Sequence, residues 1–202
     1  MLRDQWRCLR GWLADIDVLS HAAAPSGLGD WSVADLVAHL GLSMGMLAEI
    51  RPAAPGAVPL TLADYVEAYP AAADQIADRT RELTRLLEPD LLAGIDAIAN
   101  QAWAALGRCD AAVVQGRRGP LSRSDAVTSR LIELVVHAGD LAAALGRTPP
   151  PILSTAEDAV ADALGGIYRE RTGHDPVIGG AAEWIPRATG READPDPHLP
   201  LL

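Results

Sequence analysis

From Ser129 to Gly146 the chain reads SRLIELVVHAGDLAAALG, and no other stretch restricts the fold as strongly. Leu131, Ile132, Leu134, Val135, Val136 and Leu141 cover such a helix nearly all round, so it must lie at the centre of its domain. Gly146 supplies its C-terminal stop. Yet Arg130, Glu133, His137 and Asp140 recur at spacings of three, four and three, which aligns four ionisable side chains along one stripe. Burying an unpaired carboxylate or imidazolium costs several kcal/mol or forces a large pKa shift. The seam therefore needs partners, and three supplies are open. It can face solvent, pair internally as a ladder of Arg130 with Glu133 and Glu133 with His137, or be neutralised by a metal ion.

The rest of the chain is also dominated by helical periods. Leu2, Trp6, Leu9, Trp12, Leu13, Ile16 and Leu19 predict an amphipathic helix over residues 2 to about 20. Ser32 with Asp35 three residues on forms a capping-box start for a second helix to about Glu49, with an apolar face of Val33, Leu36, Val37 and Leu40. RPAAPGAVP, rich in Pro and Gly, predicts irregular structure. Thr61 opens a helix to about Leu87 that Pro70 kinks or breaks, and another runs from about Asp90 to Leu106. An irregular connection, with an extended segment at Ala112 to Gln115, leads to the central helix near Ser122 or Ser124. The prolines of GRTPPP divide the chain. Residues 1–148 are expected as a helical bundle. Residues 149–202 are expected as a small extension packed on it, with a helix from Ser154 to Thr172 and a turn-rich remainder. The expected class is mainly α, an up-and-down four-helix bundle with a small C-terminal α(+β) addition.

Composition narrows the partners. A net charge of -10 argues against nucleic-acid and anionic-membrane surfaces. No apolar run reaches the roughly 18 residues of a membrane span, and the charged, periodic N-terminus lacks a signal-peptide core; a cytoplasmic location is expected. Cys8 and Cys109 are too few for a disulfide framework and are expected to be reduced and structural. All 17 basic residues are Arg, Phe is absent, and Ala, Gly and Pro are abundant, the bias of a GC-rich genome.

A third histidine favours the metal reading of the seam. His39 lies in WSVADLVAHLG beside the core positions Leu36 and Leu40, so two helices can aim His39, Glu133 and His137 at one point. Two imidazoles and one carboxylate suit zinc or another divalent ion and leave a coordination position open. Asp140 and Asp35 are candidates to orient these ligands from behind, or are simply solvated and capping carboxylates. His21, His174 and His198 lie near a helix end or in turns and are expected at the surface.

WSVADLVAHLG and SRLIELVVHAGDLAAALG resemble the two signature helices of the mycothiol-dependent maleylpyruvate isomerase family within the DinB-like superfamily, over the first helix through Gly146. The resemblance implies a DinB-like four-helix bundle in which His39, Glu133 and His137 bind a divalent metal, usually zinc. It also implies mycothiol, an actinobacterial thiol, as cosubstrate. Thr189, Gly190 and Arg191 resemble the family's T-G-R ending.

Two classes of function follow. The leading one is a metal-dependent enzyme with no protein nucleophile, which uses the thiol for cis–trans isomerisation or S-transfer on a small electrophile. In it Arg130 or Arg191 holds a carboxylate of the substrate or thiol. The alternative is a non-catalytic, metal-containing bundle that binds a small ligand; a bundle with only a satisfied polar seam would hold no metal. A monomer or homodimer is expected.

Overall fold

Ser32 begins helix α2, Val33–Ala48, as its spacing predicts: Ser32 Oγ accepts the Asp35 N–H at 3.1 Å and Asp35 Oδ2 accepts the Ser32 N–H at 3.0 Å. Such a reciprocal cap contributes about 1 kcal/mol and fixes the register of everything that follows on the helix. The computed structural model describes all residues, Met1–Leu202. It is mainly helical, with one small sheet.

Helix α1, Leu2–Asp15, ends earlier than its apolar spacing predicts. Asp17 adopts the left-handed conformation, φ 49, and residues Val18–His21 continue as a separate 3₁₀ turn. Pro70 divides the next helical stretch into α3, Leu62–Glu67, a 3₁₀ turn at Pro70–Ala72, and α4, Ala73–Leu87. Then come α5, Leu91–Arg108, and α6, Arg123–Ala144, which Ser122 caps by accepting the Asp125 N–H. Gly146 closes α6 at φ +60, and the Arg147 N–H reaches back to the Ala142 carbonyl.

Helix α2 is the hub, packing on α4, α5 and α6. Leu36, Val37, Leu40, Met44 and Leu47 are buried on it, each contributing about 1.5–3 kcal/mol by leaving water. Gly41 permits the closest approach, since a Cβ there would meet Ile95 of α5 at 2.6 Å. Helix α1 packs on α6, and Arg10 ties it to Asp96 of α5.

The sheet order is β1-β2-β3, all antiparallel, from Arg51–Pro52, Val113–Gly116 and Gly119–Ser122. The extended segment expected at Ala112 to Gln115 is thus the middle strand. Arg51–Pro52, expected to be irregular, is a strand after all. Its proline is tolerated because β1 is an edge. Gly116 pairs with Gly119, which leaves Arg117 and Arg118 as the two-residue hairpin turn.

Beyond GRTPPP, α7 spans Ser154–Thr172. Gln5, fully buried on α1, donates to the Pro151 carbonyl and accepts the Leu153 N–H, pinning this connection to the rest. An unexpected helix α8, Ala181–Ala188, follows in the stretch read as turns. Pro186 inside it hid the helical pattern. Trp184 anchors α8, buried against α7 with its Nε1–H on the Ala161 carbonyl at 3.2 Å. Val160, Leu164, Ile167, Trp184 and Leu201 belong to the same apolar cluster as the cores of α1, α2 and α6. Cys8 and Cys109 are free thiols, and no helix is long and apolar enough to cross a membrane.

Candidate metal centre and its two chambers

The capped start of α2 and the buried run of α6 bring His39, Glu133 and His137 together, with ligand atoms within 4.8 Å of one another. Glu133 Oε2 lies 3.2 Å from His39 Nε2 and 3.3 Å from His137 Nε2. The two imidazole rings are perpendicular at 4.8 Å, and Trp31 flanks His39 at 5.0 Å. The three side chains are only 10%, 12% and 11% exposed, which excludes the solvent-facing reading of the seam.

The outer ring nitrogens are already used. His39 Nδ1 meets the buried Thr80 hydroxyl of α4 at 3.3 Å, and His137 Nδ1 meets Asp140 Oδ2 at 2.8 Å. An ionised carboxylate only accepts, so His137 carries its proton on Nδ1 and, if neutral, turns an Nε2 lone pair toward Glu133. Two lone pairs facing across 3.3 Å require a cation between them. A proton is one answer: burial opposes charge on His137, but Asp140 and Glu133 outweigh it and raise its pKa. A divalent ion is the other, and two imidazole nitrogens with a carboxylate are a donor set that accepts one.

The remaining shifts follow from the same arrangement. Burial works to raise the Glu133 pKa, yet His137, His39 and Arg130 hold it well below the usual carboxylate range. Burial lowers the pKa of His39, and the neighbouring His137 and Arg130 act with it against Glu133. Neutral imidazole and ionised carboxylate are the forms that bind metal.

Arg130 is buried but does not bond Glu133, so that half of the expected ladder is absent. Its guanidinium instead donates to the hydroxyls of Tyr69 at 2.8 Å and of Tyr65 and Ser43 at 3.4 Å. Burial pushes the Tyr69 pKa upward, so its hydroxyl is neutral and accepts this bond. No carboxylate lies within ion-pair distance of Arg130, Arg79 or Arg118.

Two chambers share His39, Glu133, Tyr69 and Ile76 as a common wall. The first, of about 250 Å³, is also lined by Arg79, Arg117, Arg118 and Arg130. The hairpin turn delivers two of these, with Arg118 stacked over Tyr69 at 4.7 Å and Tyr65 at 5.4 Å, and Arg117 paired with Glu49. The second, of about 300 Å³, is bounded by Trp31, Pro70, Ile132 and Val136, together with His137 and Arg191.

Asp140 lies directly behind His137, whereas Asp35 does not reach His39. Its carboxylate is occupied by the Ser32 cap and by the Thr84 hydroxyl at 2.7 Å, and the residue behind His39 is Thr80. Arg191, expected to hold a carboxylate, forms a bidentate pair with that of Asp140 and borders the second chamber. His21, His174 and His198 are exposed. Thr80, Tyr65, Tyr69, Arg79, Arg117 and Arg118 were not singled out by sequence. Only two carried a readable sign there: the glycines of GRRG mark Arg117 and Arg118 as a tight turn.

No curated protein and no solved structure gives a significant match to the chain. A family model described as the mycothiol maleylpyruvate isomerase N-terminal domain matches residues 2–142. That span contains His39, Glu133, His137 and most of the core, and on it the chain belongs to the mycothiol maleylpyruvate isomerase N-terminal domain family.

Proposed function

We propose that this chain is a metal-dependent enzyme that uses a low-molecular-weight thiol, mycothiol, for cis–trans isomerisation or S-transfer on a small electrophile in the cytoplasm. The observation that carries the reading is the convergence of His39, Glu133 and His137 between two chambers. Helices α1, α6, α2 and α5, joined in that ring by packing and by Arg10 with Asp96, are read as the DinB-like four-helix bundle that frames them.

A divalent ion held by these residues, zinc for preference, would favour the thiolate form of a coordinated thiol at neutral pH. The chain's own cysteines are not nucleophiles here: Cys109 is buried at the end of α5, Cys8 lies against the Pro151 carbonyl, and neither lines a chamber. In isomerisation a sulfur–carbon bond forms at a conjugated cis alkene and the π electrons move onto the activating carbonyl. Rotation about the resulting single bond follows, and the electrons return to expel the thiolate. In S-transfer the adjacent carbon takes a proton and the adduct leaves.

The arginines supply what the chain adds to this chemistry. Arg118, Arg79 and Arg130 bind the carboxylate end of the reactant, since guanidinium matches carboxylate in geometry and charge. Against the net charge of -10 they form a local positive field that draws an anion inward. The apolar chamber excludes water around the reacting carbon.

Elemental analysis of the purified protein beside His137→Ala, followed by thiol-consumption assays with cis-alkene electrophiles, tests the reading. Stoichiometric zinc lost in the variant, with turnover in the parent, is the expected result. Metal without turnover leaves a small-ligand-binding protein. No metal in either, even after reconstitution, withdraws the enzyme.

A further inference from the structure

We propose that Arg191 is a positioning residue of the metal centre: through Asp140 it fixes the imidazole of His137. The centre is thus completed by a C-terminal segment that lies outside the family-matching residues 2–142. This rests on the reading of His137 as a ligand.

The chain of contacts is short and specific. Asp140 Oδ2 accepts His137 Nδ1–H at 2.8 Å and Arg191 Nη2–H at 2.8 Å, while Oδ1 accepts Arg191 Nε–H at 3.1 Å. A bidentate guanidinium fixes the plane of a carboxylate, which a single bond from an imidazole one turn away cannot do. The Asp140 side chain is 7% exposed; without Arg191 it would be a nearly buried anion whose one partner is the ring it has to orient. His39 has no such device, because its Nδ1 meets only the Thr80 hydroxyl.

Arg191 is itself held rigidly. Its Nη1–H donates to the Thr189 carbonyl at 2.6 Å and its backbone N–H to the Pro186 carbonyl at 2.8 Å. Gly190 makes this turn at φ +76 with Pro200 so close that a Cβ would approach it to 3.2 Å. Thr189 Oγ1 donates to the Ile185 carbonyl, and the Leu201 N–H to the Ala188 carbonyl, both at 2.7 Å. Thr189, Gly190 and Arg191 therefore act as one unit, seated on α8. All three guanidinium nitrogens of Arg191 are thus engaged, two of them by Asp140, where the side chain borders the apolar chamber.

The test uses the full chain and two readouts. One is zinc affinity by competition with a chromophoric chelator. The other, on metal-free protein, is the hydrogen-bonded Nδ1–H proton resonance of His137, assigned by its absence from His137→Gln. Arg191→Ala is expected to weaken zinc binding about 10- to 100-fold and to broaden or abolish the resonance. In an Asp140→Ala background it should have no further effect on affinity. Arg191→Lys should recover part of the loss, and Arg187→Ala, which breaks the pair with Asp194 in the same segment, should change neither readout. If Arg191→Ala does not fold, Arg191→Gln carries the same two measurements. Wild-type zinc affinity together with an intact resonance in the variant overturns the proposal. A parent protein that binds no zinc overturns the metal reading instead, and the resonance then decides the positioning role by itself.

Discussion

The two chambers share His39, Glu133, Tyr69 and Ile76, and the rest of each is built from different materials. One collects four arginines, of which only Arg117 has a carboxylate partner; the other is bounded by Trp31, Pro70, Ile132 and Val136. A guanidinium without a carboxylate contributes little to folding and much to an incoming anion. An apolar wall contributes to folding by leaving water, and it strengthens electrostatic interactions beside it by lowering the local dielectric. The centre thus lies between a side suited to binding charge and a side suited to excluding solvent.

The largest expected effect comes from a charge on the wall that both sides share. Glu133→Gln keeps the shape but loses the charge that His39 and His137 both face, and zinc affinity should fall by about 100-fold or more. Chelator competition measures it, and retained zinc would show that the two chambers do not meet at a metal.

Next, Arg130→Met and Ile132→Ala should separate the chambers. Replacing the buried guanidinium by an apolar side chain should leave the melting temperature near its parent value. The same change should weaken binding of maleate, a simple cis-alkene dicarboxylate, by at least about tenfold. Ile132→Ala should do the reverse, costing about 2–5 kcal/mol of stability with maleate affinity within about twofold. Calorimetric titration and denaturant melts on both variants check this, and a common pattern in the two would erase the contrast.

A smaller effect belongs to the back of the apolar side. Burial opposes charge on Asp140, but His137 and Arg191 hold its pKa at about 2, below the usual 3.8. A folded-state pKa below the unfolded one contributes stability above about pH 4 that is lost as pH falls through about 2, here about 2 kcal/mol. Denaturant melts of chelator-treated protein across that window should show the loss, and Asp140→Asn should remove that part of the pH dependence.

The smallest effect is that of salt. Raising ionic strength from about 0.01 to 0.15 M shortens the screening length from about 30 to 8 Å. Maleate binding should weaken several-fold, while an uncharged apolar ligand should be indifferent, as paired titrations would show.

Much of this was legible in the sequence because it is local. A Ser and an Asp three apart cap α2 wherever it packs, and residues at i and i+4 share a helix face, so Glu133 and His137 had to point together. The early end of α1 is local in origin as well. The apolar spacing of α1 continues through Ile16 and Leu19, but the left-handed Asp17 ends the helix. The features that escaped depend on partners far along the chain. Arg51–Pro52 is a strand only because Val113–Gly116 lies beside it, and α8 is held by the burial of Trp184 against α7.

The same division runs through the site. The sequence by itself determined the seam on α6, the histidine on α2 and the capped helices that present them, because these follow from backbone periodicity and hydrogen bonds within a few residues. Only the tertiary structure decided that Arg117 and Arg118 face the chamber, that Asp35 serves a cap while Thr80 backs His39, and that Arg191 reaches Asp140 across 51 residues. Contacts of that separation depend on how whole helices pack, and packing is set by the summed shape of the core.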